Sequence, residues 1–391
     1  MSISSLPNEL LLMIADNLDE HELNALLRAS HHFHALFNPY LYKLTFRKSG
    51  NKTLYWACCN GIDEVARKML MLGADAEAPC MPKWVHVWPF DTPLICAIQC
   101  GKPSVVKVLL ETERVNVDMQ GRVSPLDIAT REGRDVIVKM LLENGAQVNQ
   151  LVPRTRSPLH TAVYNKNNGM STIKMLLDNE ADPNSVDEDG NTPLHLAKDL
   201  ETVELLLYYG ADVNTANRLD QTPLYNAVRA KNNKWLQRLL EAGADVNKQN
   251  RRGETPLFFI GSRNDPNRPT SGKDTDTDAD IVRTLLSKGA DICHLDRDLS
   301  TALHAICYDG DAETIQLLLS FGASASCKNR KGLTPLHIAA EEGWPDLIRL
   351  LLTHGANVNA TNYPSKACAL LSYGSRRSCT ARPTTPVSSR Y

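Results

Sequence analysis

Four histidines, His160, His195, His304 and His337, invite a search for metal or acid–base chemistry. Each is the fourth letter of the same short phrase, and the copies of that phrase are spread along the chain. A metal needs ligands converging on one point, so structural hydrogen bonding in separate layers is the expected role. His21-Glu22 begins like a zinc-protease helix, but position 25 is Ala where the second His would stand. The run DTDTDAD from Asp274 to Asp280 begins like a calcium loop, yet Ala279 replaces the turn glycine and Leu285 the bidentate Glu. Solvated acid is expected there, with Thr275 or Thr277 as an alternative phosphorylation site. The 10 cysteines form no Cys-x-x-Cys pair and no zinc-type spacing with histidine, so they are read as reduced thiols. No Gly-rich phosphate loop, nucleophile motif or paired-carboxylate signature stands out. No catalytic residue, metal or cofactor is therefore expected.

Charge narrows the partners further. A formal net charge of -2 gives no general attraction to nucleic acid or to anionic membranes. The longest apolar stretch, Leu10 to Ala15, falls far short of the roughly 18 residues of a membrane span. With no signal-type N-terminus, a soluble protein of the cytoplasm or nucleus is expected.

The elements that carry these residues repeat. One phrase recurs as DTPLICAI at Asp91, VSPLDIAT at Val123, RSPLHTAV at Arg156, NTPLHLA at Asn191, QTPLYNAV at Gln221, ETPLFFI at Glu254, STALHAI at Ser300 and LTPLHIAA at Leu333. The Thr or Ser markers follow one another at 30 to 35 residues, apart from one step of 46. Thr or Ser before Pro supplies an N-cap oxygen and a first helical residue whose missing N–H costs nothing. In a second helix, pairs such as Val203 with Leu206 and Ile315 with Leu318 share one face. Gly210, Gly243, Gly289, Gly322 and Gly355 then supply a left-handed stop. A closing phrase, as in LLLYYGADVN ending at Asn214, leads into a projecting hairpin.

Two anchored phrases in fixed register at about 33 residues resemble the ankyrin family. The resemblance covers residues 91 to 362, and a weaker copy from Thr53 to Glu77 makes about nine units. It implies an all-α solenoid in which each unit is a helix–turn–helix plus a hairpin finger. Its fingers and first helices would form the face that binds a protein partner.

Residues 4 to 47 do not follow the repeat. Pro7 with Glu9, Asp19 with Glu22, and Asn38-Pro39 mark three short helices. The first is apolar nearly all round, more than about forty residues can cover. This segment resembles the F-box at Leu6, Pro7, Glu9, Leu10, Leu11, Ile14, Leu18, Leu23, Leu26, Ser30 and Phe33, with His31, His32 and His34 departing from the family's late positions. The resemblance implies docking on a Skp-type adaptor of a cullin-RING ubiquitin ligase, through Leu6, Pro7, Leu10, Ile14 and Leu18. A plain bundle capping the first repeat is the alternative.

The expected domains are thus an F-box-like domain at 1–48, the solenoid at 49–362 with insertions near 78–90 and 261–280, and a basic, disordered tail at 363–391. Candidate contacts to an unknown protein substrate are Trp84 and Trp88 in the first insertion, or else these pack on the F-box-like helices. Arg251, Arg252, Arg297, Arg330 and Lys331 sit on later fingertips, where they suit an acidic partner segment or simple solvation.

Overall fold

A computed structural model describes residues 51–78, 92–112, 115–118, 124–150, 156–165, 169–261 and 276–362. The F-box-like positions, Trp84, Trp88, most of the second insertion and the tail lie outside the described residues. The chain divides into two compact units, Met1–Asp182 and Pro183–Tyr391. All regular structure among the described residues is helical.

In the first unit the helices are α1 (residues 51–60), α2 (Asp63–Met71), α3 (Pro93–Gln99), α4 (Pro103–Leu110), α5 (Pro125–Arg131), α6 (Asp135–Glu143), α7 (Pro158–Tyr164) and α8 (Met170–Asp178). There α3, α5 and α7 pack in one row, and α2, α4, α6 and α8 in a second. The other unit contains α9 (Pro193–Leu196), α10 (Leu200–Tyr208), α11 (Pro223–Arg229), α12 (Asn233–Glu241), a 3-10 turn (Pro256–Gly261), α13 (Asp278–Ser287), α14 (Ala302–Cys307), α15 (Ala312–Ser320), α16 (Pro335–Glu341) and α17 (Pro345–Thr353). Its rows are α9, α11, the 3-10 turn, α14 and α16, backed by α10, α12, α13, α15 and α17.

The repeated phrase explains the inner row. Leu94, Leu126, Leu159, Leu194, Leu224, Leu257 and Leu303 are all buried between neighbouring layers, each contributing about 1.5–3 kcal/mol by leaving water. Val203, Leu206, Ile315 and Leu318 are fully buried on the second row, as their spacing predicts. Second helices end as expected: Gly210 has φ 86°, its N–H donates to the Leu207 carbonyl, and that of Ala211 donates to Leu206. This Schellman closure satisfies carbonyls that the last turn leaves open.

At the end of α8 the same closure is made by Glu180, held at φ 66°. A side chain there costs about 1–2 kcal/mol that glycine does not, partly offset by glycine's freedom in the unfolded chain. Glu180→Gly is therefore expected to raise the stability of the first unit by about 1 kcal/mol. A urea titration of the full chain followed by tryptophan-independent circular dichroism checks it, and an unchanged or lower midpoint would contradict the argument.

The asparagine of the closing phrase joins one layer to the next. Asn214 donates its amide to the Gly243 carbonyl at 3.0 Å and accepts the Asp245 N–H at 2.8 Å. Asn184 spans Gly210 and Asp212 in the same way, and Asn247 spans Gly289 and Asp291. Within the first unit Asn149 does so with Glu180 and Asp182.

Two local expectations are corrected. The ETPLFFI copy forms a 3-10 turn rather than an α-helix. Phe258 and Ile260 of this six-residue turn are nevertheless buried, as their places in the phrase require. The end of that insertion is also not loose solvated acid. Asp278 opens α13 and pairs with Lys231 at 3.0 Å, Asp276 accepts the Asn233 N–H at 2.6 Å, and Asp280 forms a capping box with Thr277. The contact partners lie more than 40 residues upstream, which no local pattern reveals.

Candidate partner-binding face

Five of the sequence-predicted contact residues fall on three fingers of the second unit, which are built by their first residue. Asn250 Oδ1 accepts the N–H groups of Arg252 and Glu254 at 2.8 and 3.1 Å. Asp296 does the same for Asp298 and Ser300, and Asn329 for Lys331 and Leu333. An Asx side chain that collects two amides holds the tight turn without help from a sheet. Burial pushes the Asp296 carboxyl above the usual range, against the pull of the Ser300 and Asp298 amides.

Adjacent fingers are stitched through the main chain. The N–H of Arg251 donates to the Leu219 carbonyl at 3.0 Å, that of Arg297 to Arg252 at 2.9 Å, and that of Arg330 to Asp298 at 2.7 Å. Glycine suits one such crossing: a Cβ on Gly253 would sit 3.2 Å from the Arg297 nitrogen, at a φ of 75°. Leu299 occupies the corresponding position of the next finger at φ 58°, a strained conformation for a branched residue.

The stitching brings Arg251, Arg297 and Arg330 to the same position on successive fingers, all exposed, with Arg252 and Lys331 beside them. Arg218 belongs with them and was missed in the sequence. It follows Asn217 as Arg251 follows Asn250, is exposed, and donates its N–H to Asp189 at 2.8 Å. The row is not purely basic. Asp220 approaches Arg251 at 3.6 Å and Asp298 approaches Arg330 at 4.0 Å, exposed pairs worth about 0–1 kcal/mol each. The finger before them carries Asp187, Glu188 and Asp189, so charge changes sign along the row. Leu219, more than half exposed, gives the row an apolar point.

The histidines are structural. In His195, Nδ1 lies 3.0 Å from the Thr192 nitrogen and Nε2 lies 3.0 Å from the Gln221 carbonyl oxygen. A backbone N–H only donates and a carbonyl only accepts, so Nδ1 is the acceptor and Nε2 carries the proton. His304 repeats this with Thr301 and Leu333, and His160 and His337 bond to Ser157 and Thr334 at 2.7 and 2.8 Å. Burial lowers the His304 pKa from its ordinary 6.5. Where the fourth letter is Tyr225, its hydroxyl lies 2.6 Å from the Glu254 carbonyl oxygen and makes the same link to the next layer. The Thr222 and Thr255 hydroxyls are buried and unpartnered, contrary to the N-cap expectation, whereas Thr92 and Ser124 make their caps without a histidine.

Comparison with known proteins agrees with this architecture. The ankyrin-repeat family model matches residues 84–152, 149–217, 198–267 and 274–362, and the chain belongs to the ankyrin-repeat family. The F-box-like model matches residues 3–48. Among solved structures, the human ASB11 ankyrin repeat domain is 23% identical, with 61% of this chain and 98% of that chain covered and a TM-score of 0.47. No curated protein matches. The two matched families make the chain a protein-interaction module of a typically non-catalytic kind. Among the described residues no helix is long and apolar enough to cross a membrane.

Proposed function

We propose that this chain is the substrate-recognition subunit of a cullin-RING ubiquitin ligase. The observation that carries the reading is the presence on one chain of an F-box-like segment, residues 3–48, ahead of ankyrin repeats that begin to match at residue 84. F-box domains generally bind Skp-type adaptors and ankyrin repeats bind protein targets, so the pair joins a ligase to a target. Leu6, Pro7, Leu10, Ile14 and Leu18 form the adaptor-docking face, since 10, 14 and 18 recur at helical spacing. About nine repeats over 49–362 present the target face, with Arg251, Arg252, Arg297, Arg330 and Lys331 on its fingers and Trp84 and Trp88 as further anchors.

Co-purification of the full chain with a Skp-type adaptor tests this. Wild type is expected to retain the adaptor, and a Leu10→Asp, Ile14→Asp double variant to lose it, because two charges cannot be desolvated on an apolar contact. The helical circular dichroism should be unchanged. Failure of wild type to bind would overturn the proposal and leave helices that cap the repeats.

A further inference from the structure

The five fingers of the second unit share one register. Asp187 and Asn217 collect two amides each, as Asn250, Asp296 and Asn329 do, so every finger opens on the same turn. Glu188, Arg218, Arg251, Arg297 and Arg330 follow those turn residues, and all five are exposed. The main-chain N–H of each arginine bonds to the finger before it at 2.7–3.0 Å. The arginine side chains therefore leave from equivalent points, and they repeat with the helix layers that carry the fingers, about 10 Å apart. Glu188 and Asp189 make the first finger acidic, whereas the third and fifth carry two cations each, Arg251 with Arg252 and Arg330 with Lys331. Of the four arginines in register, only Arg251 and Arg330 meet a carboxylate among the described residues, Asp220 at 3.6 Å and Asp298 at 4.0 Å. Both contacts are exposed and weak, so most of this positive charge is left for another molecule.

We infer that the row binds an extended acidic segment of the protein target, with a carboxylate at every third residue and a cation beyond one end. The inference rests on the repeats being the target face and adds the chemistry and spacing of what they hold. An extended chain rises about 3.3 Å per residue, so three residues cover about 10 Å, the step from one finger to the next. Carboxylates at i, i+3, i+6 and i+9 then reach Arg218, Arg251, Arg297 and Arg330 in turn. Each guanidinium offers a carboxylate two parallel N–H groups, which fixes direction as well as charge. One further step, at i−3, arrives at Glu188 and Asp189 and takes Lys or Arg. The sign change separates such a segment from a uniform polyanion: nucleic acid following the row meets repulsion at the first finger. An extended segment covers the five fingers with about 13 residues, whereas a helix, rising about 1.5 Å per residue, needs about 29, with carboxylates seven apart.

The test measures binding of the full chain to labelled synthetic peptides by fluorescence anisotropy at low ionic strength, where exposed charges are least screened. The matched peptide carries four Glu three residues apart and a Lys three residues beyond, and is made in both chain directions. Its isomer has the same composition with the four Glu in succession. In one direction the matched peptide is expected to bind at least about fivefold more tightly than the isomer. Arg218→Ala combined with Arg297→Ala should weaken it at least about tenfold, with circular dichroism unchanged because the stitching bonds are main-chain. Glu188→Lys should weaken the matched peptide and spare a version in which Ser replaces the Lys. Equal binding of the two isomers, no binding of either, tighter binding of a peptide with Glu seven residues apart or of a single-stranded oligonucleotide, or indifference to the arginine substitutions would each overturn the inference. Adaptor co-purification does not involve these fingers, so an adaptor retained while the matched peptide fails would strike the segment alone and leave the ligase reading standing.

Discussion

His304→Ala is expected to destabilise the second unit by about 3 kcal/mol, through a cavity and lost hydrogen bonds together. The ring is 1% exposed. It accepts the Thr301 backbone N–H at 3.1 Å, contacts the Thr301 hydroxyl at 2.8 Å, and donates to the Leu333 carbonyl at 3.2 Å. Alanine leaves the N–H of the N-cap Thr301 without that partner in a buried place and takes one of two hydrogen bonds from the Leu333 carbonyl, which also accepts the Asn329 N–H. In a stack where each layer contacts only its neighbours, that loss falls on the coupling between layers. Hydrogen exchange at the Thr301 amide should accelerate together with the fall in urea midpoint.

The same site fixes a pH dependence. Burial holds the His304 pKa below 6.5, so on acidification the unfolded chain binds a proton there before the folded one does. Stability from this residue is therefore fully present above about pH 6.5 and is lost as pH falls from there toward the folded value. Protonation of Nδ1 would also set an N–H against the Thr301 N–H. The variant should show a shallower loss of stability between neutral and mildly acidic pH. A variant within 1 kcal/mol of wild type, or one as acid-sensitive as wild type, would show that the ring is a bystander.

These histidines also show what the sequence carries. Thr-Pro-Leu-His displays its cap, its N1 proline and its buried leucine, because each depends on residues within one turn. The Nε2 bond to the carbonyl before the next threonine depends on the following layer, and no spacing within the phrase announces it. Asn214 is similar: its place in the closing phrase is plain, but its grip on Gly243 and Asp245 follows only from stacking. On the candidate face, Arg251, Arg297 and Arg330 were legible as basic fingertips, and Arg218 was open to the same argument through its preceding Asn217. The pairing of Asp220 with Arg251 was not, since it links different fingers.

Asp278→Ala should cost about 3 kcal/mol, more than an exposed ion pair warrants, because it leaves the Lys231 ammonium in a largely dry place. The two side chains are 12% and 20% exposed and 3.0 Å apart. Asp278 is also the first residue of α13, where a carboxylate opposes the positive end of the helix. Its loss should free the junction between α12 and α13, where Asp276 already bonds to both Lys231 and Asn233 main-chain groups. Lys231→Met combined with Asp278→Leu is expected to recover most of the loss, since an apolar pair needs no compensation for buried charge. Urea titrations of the wild type, Lys231→Met, Asp278→Leu and the double variant give the coupling energy directly. Additive single losses would mean that the two charges are each solvated, and that the junction is held by the Asp276 hydrogen bonds alone.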